Sequence, residues 1–240
     1  MLRYIWIGIL SIGFLLNWGD AFAQKPQKSK GHCFIVAMKV YSVVKIGNDK
    51  QLSFFTEEID YGKYRFFVYM TKQTYGDTSE QYKFVLPDTA KFRELYGFPF
   101  FERRSNFTRR ATKLYLIKEV SFPMIAISYE QALAFCQWYG TTLMGNSTKS
   151  KFVYTYSLPT QADYEAVLDK AKITQKKALS PLQRKRSKRV LGLTDNVAEY
   201  TQEGTVVEGG ENTVLKFIAA KDCETPTGFR LKATAVSKNK

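Results

Sequence analysis

The chain has 240 residues, of which 45% are hydrophobic and 15% aromatic, so it can bury a sizeable core and is not a disordered tail. Its formal net charge is +14 with a pI near 9.6, which favours anionic partners such as acidic proteins, anionic glycans or membrane surfaces. A single histidine, His32, leaves too few imidazoles for a His-ligated catalytic metal site or a well-placed Ser-His-Asp triad.

Met1-Leu2-Arg3 is a short basic start, followed by an apolar run from Tyr4 to Leu16 and the Ala21-Phe22-Ala23 sequence. This is the pattern of a cleavable signal peptide over residues 1–23. A retained anchor is the alternative, but the run is shorter than the ~20 apolar residues a span needs. Gln24, not a cysteine, stands directly after Ala23, so no lipid attachment at a new N-terminus is expected. No later segment is apolar and long enough to span a bilayer. Export makes nucleic acid a poor partner for the positive charge and permits disulfides.

Residues 24–32 read as a polar, basic lead-in. Residues 33–46 and 51–59 are β-branched and aromatic, which predicts strands. Asp60 caps a predicted helix from Tyr61 to Lys72, with Tyr61, Tyr64, Phe67 and Val68 on one face. Residues 74–122 show few clear elements; they hold Leu86-Pro87-Asp88-Thr89, the aromatic run Tyr96–Phe101 and a basic stretch. Ser128 caps a second predicted helix, Tyr129 to Tyr139, with Ala132, Phe135 and Cys136 on one face. Residues 151–157 predict a strand. Thr160, with Asp163 three residues on, caps a third helix from Gln161 to Ala171. Strand-like pieces separated by glycine turns follow Gly192. A mixed α+β domain is expected over residues 33–234, with a basic tail at 235–240.

Residues 170–189 carry nine Lys or Arg and no acid. Arg184, Lys185, Arg186, Lys188 and Arg189 are its densest part. They form either a solvated segment or the contact for an acidic partner. The three cysteines are Cys33, Cys136 and Cys223, and no C-x-x-C is present. Cys136 reads either as a small buried residue on a helix face or as a disulfide partner of Cys223 or Cys33.

Six segments in order resemble one family. They are Phe55-Thr56-Glu57-Glu58-Ile59 with Tyr64 and Phe67; Pro123–Ala132 with Phe135-Cys136-Gln137-Trp138; Leu158-Pro159-Thr160 with Asp163-Tyr164-Glu165; Gly192–Tyr200; Gly209-Gly210; and Gly228-Phe229-Arg230. Together they are similar to the formylglycine-generating enzyme (sulfatase-modifying factor) superfamily. The resemblance implies that family's irregular, loop-rich fold, related to C-type lectins. Leu86-Pro87-Asp88-Thr89 makes the chain look most like the gliding-motility and type IX secretion branch, whose members are lipoproteins that build scaffolds at the periplasmic face of the outer membrane.

The resemblance also implies chemistry that this sequence does not carry. Family enzymes use a cysteine pair with copper shortly after the glycine-glycine motif, and residues 209–218 contain no cysteine. The ergothioneine-type branch holds iron with histidines, and one histidine cannot supply the set. A family calcium site maps onto Asn196 and Glu199, although the motif is shortened and Ala198 stands where the family has Trp; hydrogen bonds holding a turn are the alternative. Arg230 reads as a core ion-pair residue. The expectation is an exported, non-catalytic scaffold or binding domain, in the periplasm, at the outer membrane or on the cell surface. It would engage acidic envelope proteins and could self-associate, with no cofactor other than calcium. A metal-dependent oxidase acting on sulfur and a lectin-like ligand binder are the competing readings.

Overall fold

A cap begins each long helix, as the sequence expects. In the computed structural model, which describes residues 43–45, 52–101, 122–143, 152–170, 173–174, 190–193, 196–209 and 214–237, the Asp60 carboxylate accepts the Lys63 amide at 2.8 Å to open α1 (Tyr61–Tyr75). Tyr61, Tyr64, Phe67, Val68 and Thr71 form the buried face. The helix runs three residues past the expected Lys72 and stops at Gly76, whose φ of +89° is open to glycine without strain. The signal segment, the lead-in, His32, Cys33 and the block at 184–189 lie outside the described residues.

Two short helices occupy the stretch where few elements were expected. α2 (Glu80–Val85) is capped by Ser79 and α3 (Thr89–Tyr96) by Asp88, which accepts the Ala90 and Lys91 amides at 3.1 and 2.9 Å. At six and eight residues, about two turns each, they are too short for a repeating apolar pattern to stand out. α4 (Tyr129–Trp138) starts with a reciprocal capping box: Ser128 Oγ accepts the Gln131 amide and Gln131 Oε1 accepts the Ser128 amide. A π turn, Tyr139–Leu143, continues it. Gln131 also donates through Nε2 to the Phe84 and Leu86 carbonyls at 2.6 and 2.7 Å, which ties the end of α2 to the start of α4. Gln131→Ala removes the side-chain half of the capping box and both of these bonds, while Ser128 Oγ still accepts the amide of residue 131. It is expected to cost about 2 kcal/mol, read as a lower urea midpoint at unchanged m-value.

α5 (Gln161–Lys170) carries the expected Thr160–Asp163 box, with Asp163 Oδ2 accepting the Thr160 amide at 2.7 Å. Lys232 Nζ donates to the same carboxylate at 2.6 Å.

The strands are β1 (Val43–Lys45), β2 (Leu52–Phe55), β3 (Phe152–Ser157), β4 (Ile173–Thr174), β5 (Val190–Leu191), β6 (Ala198–Tyr200), β7 (Thr205–Gly209), β8 (Leu215–Ala219), β9 (Thr227–Gly228) and β10 (Lys232–Ser237). One antiparallel sheet has the order β1-β2-β10-β3, so β10 from the C-terminal region lies between β2 and β3. A second has the order β8-β7-β6-β9, and β4 and β5 form a parallel pair. The architecture is α+β. β10 extends to Ser237 with Ala235 buried, so the sheet takes in the first three residues of the expected tail.

Alternation puts Ala233 and Ala235 of β10 inward. The main core gathers aromatics from α1, α4 and the β9–β10 link. Phe135 stacks on Tyr64 at 5.8 Å and meets Phe67 and Phe229 edge-on at 5.6 and 5.3 Å. A smaller core of Phe54, Tyr164, Val167, Val190, Leu193 and Val207 lies beside it.

Candidate functional site

Arg230 has no exposed surface, and it sits on the link between β9 and β10. Such a charge is stable there only if its donors are met. Nε donates to Glu199 Oε2 at 2.6 Å and Nη2 to Glu199 Oε1 at 2.5 Å, a bidentate pair with β6. Nη1 and Nη2 also donate to the carbonyls of Phe55 and Leu191 at 3.2 and 3.1 Å. The guanidinium lies 5.3 Å from the centre of the Phe54 ring. One side chain thus joins both four-stranded sheets and β5.

Four further groups close around this pair. Tyr164 of α5 donates its hydroxyl to Glu199 Oε2 at 2.8 Å. Glu58, fully buried, places Oε1 3.9 Å from Arg230 Nη2 and accepts Asn196 Nδ2 at 2.8 Å. Gly192, at φ +67°, runs so close that a Cβ there would lie 2.6 Å from Glu58 Oε1. Burial alone would lower the Arg230 pKa, but the Glu199 carboxylate reverses this and holds it above its ordinary value. Burial, then Glu199, pushes the Tyr164 phenol well up. At neutral pH both therefore stay in one protonation state, which suits a fixed strut better than proton transfer.

Asn196 and Glu199, onto which the resemblance maps a calcium site, border the same cluster, Asn196 donating to Glu58 and Glu199 accepting from Arg230. However, both Glu199 oxygens are engaged by Arg230 and Tyr164, so the cation this carboxylate carries is the guanidinium. Among the described residues no group of three or more His, Cys, Asp or Glu is arranged to hold a metal. Cys136 and Cys223 are free thiols, not a bridge. Cys136 faces the core from α4, while Cys223 follows a 3-10 turn and its Sγ donates to Glu208 Oε1 at 3.2 Å. Burial pushes the Cys136 thiol well above the usual range, and burial with Glu208 raises Cys223. Neither is poised as a thiolate. The residues 184–189 lie outside the described set. Glu58 and Tyr164 stand in segments that carry the resemblance, but sequence reasoning gave neither a site role; a glutamate just before Ile59 in an apolar stretch was the available signal.

Burial raises several other tyrosines, with Tyr156 and Tyr200 pushed up to about 12 and Tyr64 well above its ordinary value. Above pH 10 the unfolded chain loses these protons while the folded chain keeps them, so stability falls as pH rises. Tyr64 and Tyr164 alone approach a slope of about 3 kcal/mol per pH unit. Urea midpoints across the alkaline range read it; a flat profile would show these phenols to be accessible.

A groove of about 430 Å³ runs along β3. One wall is Leu133, Cys136, Gln137, Gly140 and Thr141, a single face of α4 and the turn after it. The other wall is five successive residues, Val153 to Ser157, and Gln202 stands at its margin.

No protein-family model and no curated protein matches this chain. No helix among the described residues is long and apolar enough to cross a membrane.

Proposed function

We propose that the protein is an exported, non-catalytic scaffold or binding domain of the formylglycine-generating enzyme superfamily, which engages acidic envelope partners in secretion, gliding motility or surface assembly. The observation that carries this reading is the closed ion cluster. Glu58, Tyr164, Asn196, Glu199 and Arg230 come from four of the segments behind the resemblance, and they bond to one another inside the fold. Side chains spent on holding strands together are not free to bind substrate or to activate oxygen. The lack of a cysteine pair after Gly209 and the raised thiols of Cys136 and Cys223 point the same way.

The test is incubation of the exported protein with copper(I) or iron(II), oxygen and a sulfatase-type cysteine peptide. The peptide thiol is expected to survive intact. Conversion to an aldehyde would overturn the non-catalytic reading in favour of an oxidase. Partner binding through the basic block is tested by reversing Arg184, Lys185, Arg186, Lys188 and Arg189 to glutamate. Binding and its salt sensitivity should both weaken.

A further inference from the structure

We infer that the buried ion cluster is the anchor of the basic block, holding the feet from which residues 175–189 are presented to an acidic segment of a partner polypeptide. β4 and β5 flank that stretch and pair in parallel, Ile173 with Val190 and Thr174 with Leu191. The two ends of the stretch are therefore fixed about 5–6 Å apart. A free flexible chain of that length would separate its ends by about 20 Å. Seven of the nine cations of the block lie between the two strands, with no acid among them.

The foot at β5 is built into the cluster. The chain passes in one step from Arg189 to Val190, which has no exposed surface and belongs to the smaller core with Phe54, Tyr164 and Val167. Leu191 is held at both of its backbone polar groups. Its amide donates to the Thr56 carbonyl at 2.9 Å, and its carbonyl accepts Arg230 Nη2 at 3.1 Å. Gly192 follows, pressed against Glu58 and Asn196. The cluster thus grips the main chain within three residues of Arg189. Arg230 is a positioning residue here: it acts on the block through Leu191. A stretch whose ends are already fixed loses less chain entropy on binding than a loose one.

Charge selects the occupant. Among the described residues Asp and Glu outnumber Lys and Arg, so the excess of positive charge comes from the other segments. An anionic bilayer is an extended surface, and it would face that acidic part of the protein as well as the block. A narrow acidic polypeptide segment meets the block alone. This inference rests on the reading of the basic block as the partner contact, and names what holds that contact in place.

Fluorescein-labelled dodecaglutamate is titrated against the full exported chain by anisotropy, at low and at physiological salt. Gly192→Ala pushes the β5 foot off Glu58, and Thr174→Pro interrupts the ladder at the β4 foot. Each should weaken binding by about fivefold. The salt dependence should stay as in the parent, because every cation of the block remains. Gln131→Ala destabilises the fold through α2 and α4 instead, and should bind as the parent does. Thr174→Pro carries the test if Gly192→Ala does not fold. Parental affinity in the foot variants, or equal weakening by Gln131→Ala, would overturn the inference. The block itself would then stand as the contact if charge reversal at 184–189 still abolishes binding. Failure of the parent to bind dodecaglutamate, or binding only to vesicles of phosphatidylcholine and phosphatidylglycerol, would retire the anchor and the acidic-protein contact together.

Discussion

Arg230→Met is expected to destabilise the protein by about 3–5 kcal/mol, because it leaves Glu199 and Glu58 buried without their guanidinium. The loss exceeds that of an ordinary core truncation for a physical reason. Removing the cation strips two donors from one carboxylate and also takes away the bonds that the guanidinium makes to the Phe55 and Leu191 carbonyls. Joint replacement separates charge from shape: Arg230→Met with Glu199→Gln should recover part of the loss, since the second change removes the uncompensated charge. Urea unfolding of both variants reads the difference. Equal stability of Arg230→Met and the parent would mean that the cluster does not hold the two sheets together.

Gly192→Ala is the second large effect. A left-handed φ costs an L-residue about 1–2 kcal/mol. The new methyl would also meet Glu58 Oε1 at 2.6 Å and Asn196 Cβ at 2.8 Å, and neither is the end of a free surface chain. The total is expected to reach about 3 kcal/mol, or roughly 6–12 °C in the melting midpoint at 2–4 °C per kcal/mol. Gly97→Ala is the control. Gly97 has a similar φ of +74° with nothing within 4 Å, so only the backbone cost of about 1 kcal/mol should appear. Equal losses at the two glycines would show that contact with the ion cluster contributes nothing.

These two sites also mark the limit of what sequence could reveal. Asp60, Ser128 and Thr160 were legible as helix starts because capping is local chemistry, and the structure has all three. α2 and α3 were not legible: six and eight residues, about two turns each, are too few to repeat an apolar pattern, although Ser79 and Asp88 were available as caps. Arg230 was readable as a core ion-pair residue. Its partners were not, since Glu58 lies 172 positions away in sequence and Glu199 31, and only the meeting of the two sheets joins them. The placement of β10 between β2 and β3 is likewise a long-range outcome. Asn196 and Glu199 enter this cluster in different roles: Asn196 donates through Nδ2 to Glu58, and Glu199 accepts from Arg230 and Tyr164. What the sequence could not supply is that a guanidinium already occupies the carboxylate.

The most direct measurement is crosslinking of the protein in intact cells, with identification of what it joins and a parallel sample carrying the charge reversal at 184–189. A non-catalytic binding domain should yield a discrete adduct with an acidic envelope protein, and the reversal should reduce it by about tenfold. Failure to form any discrete adduct, in cells where the protein converts a cysteine substrate, would contradict it.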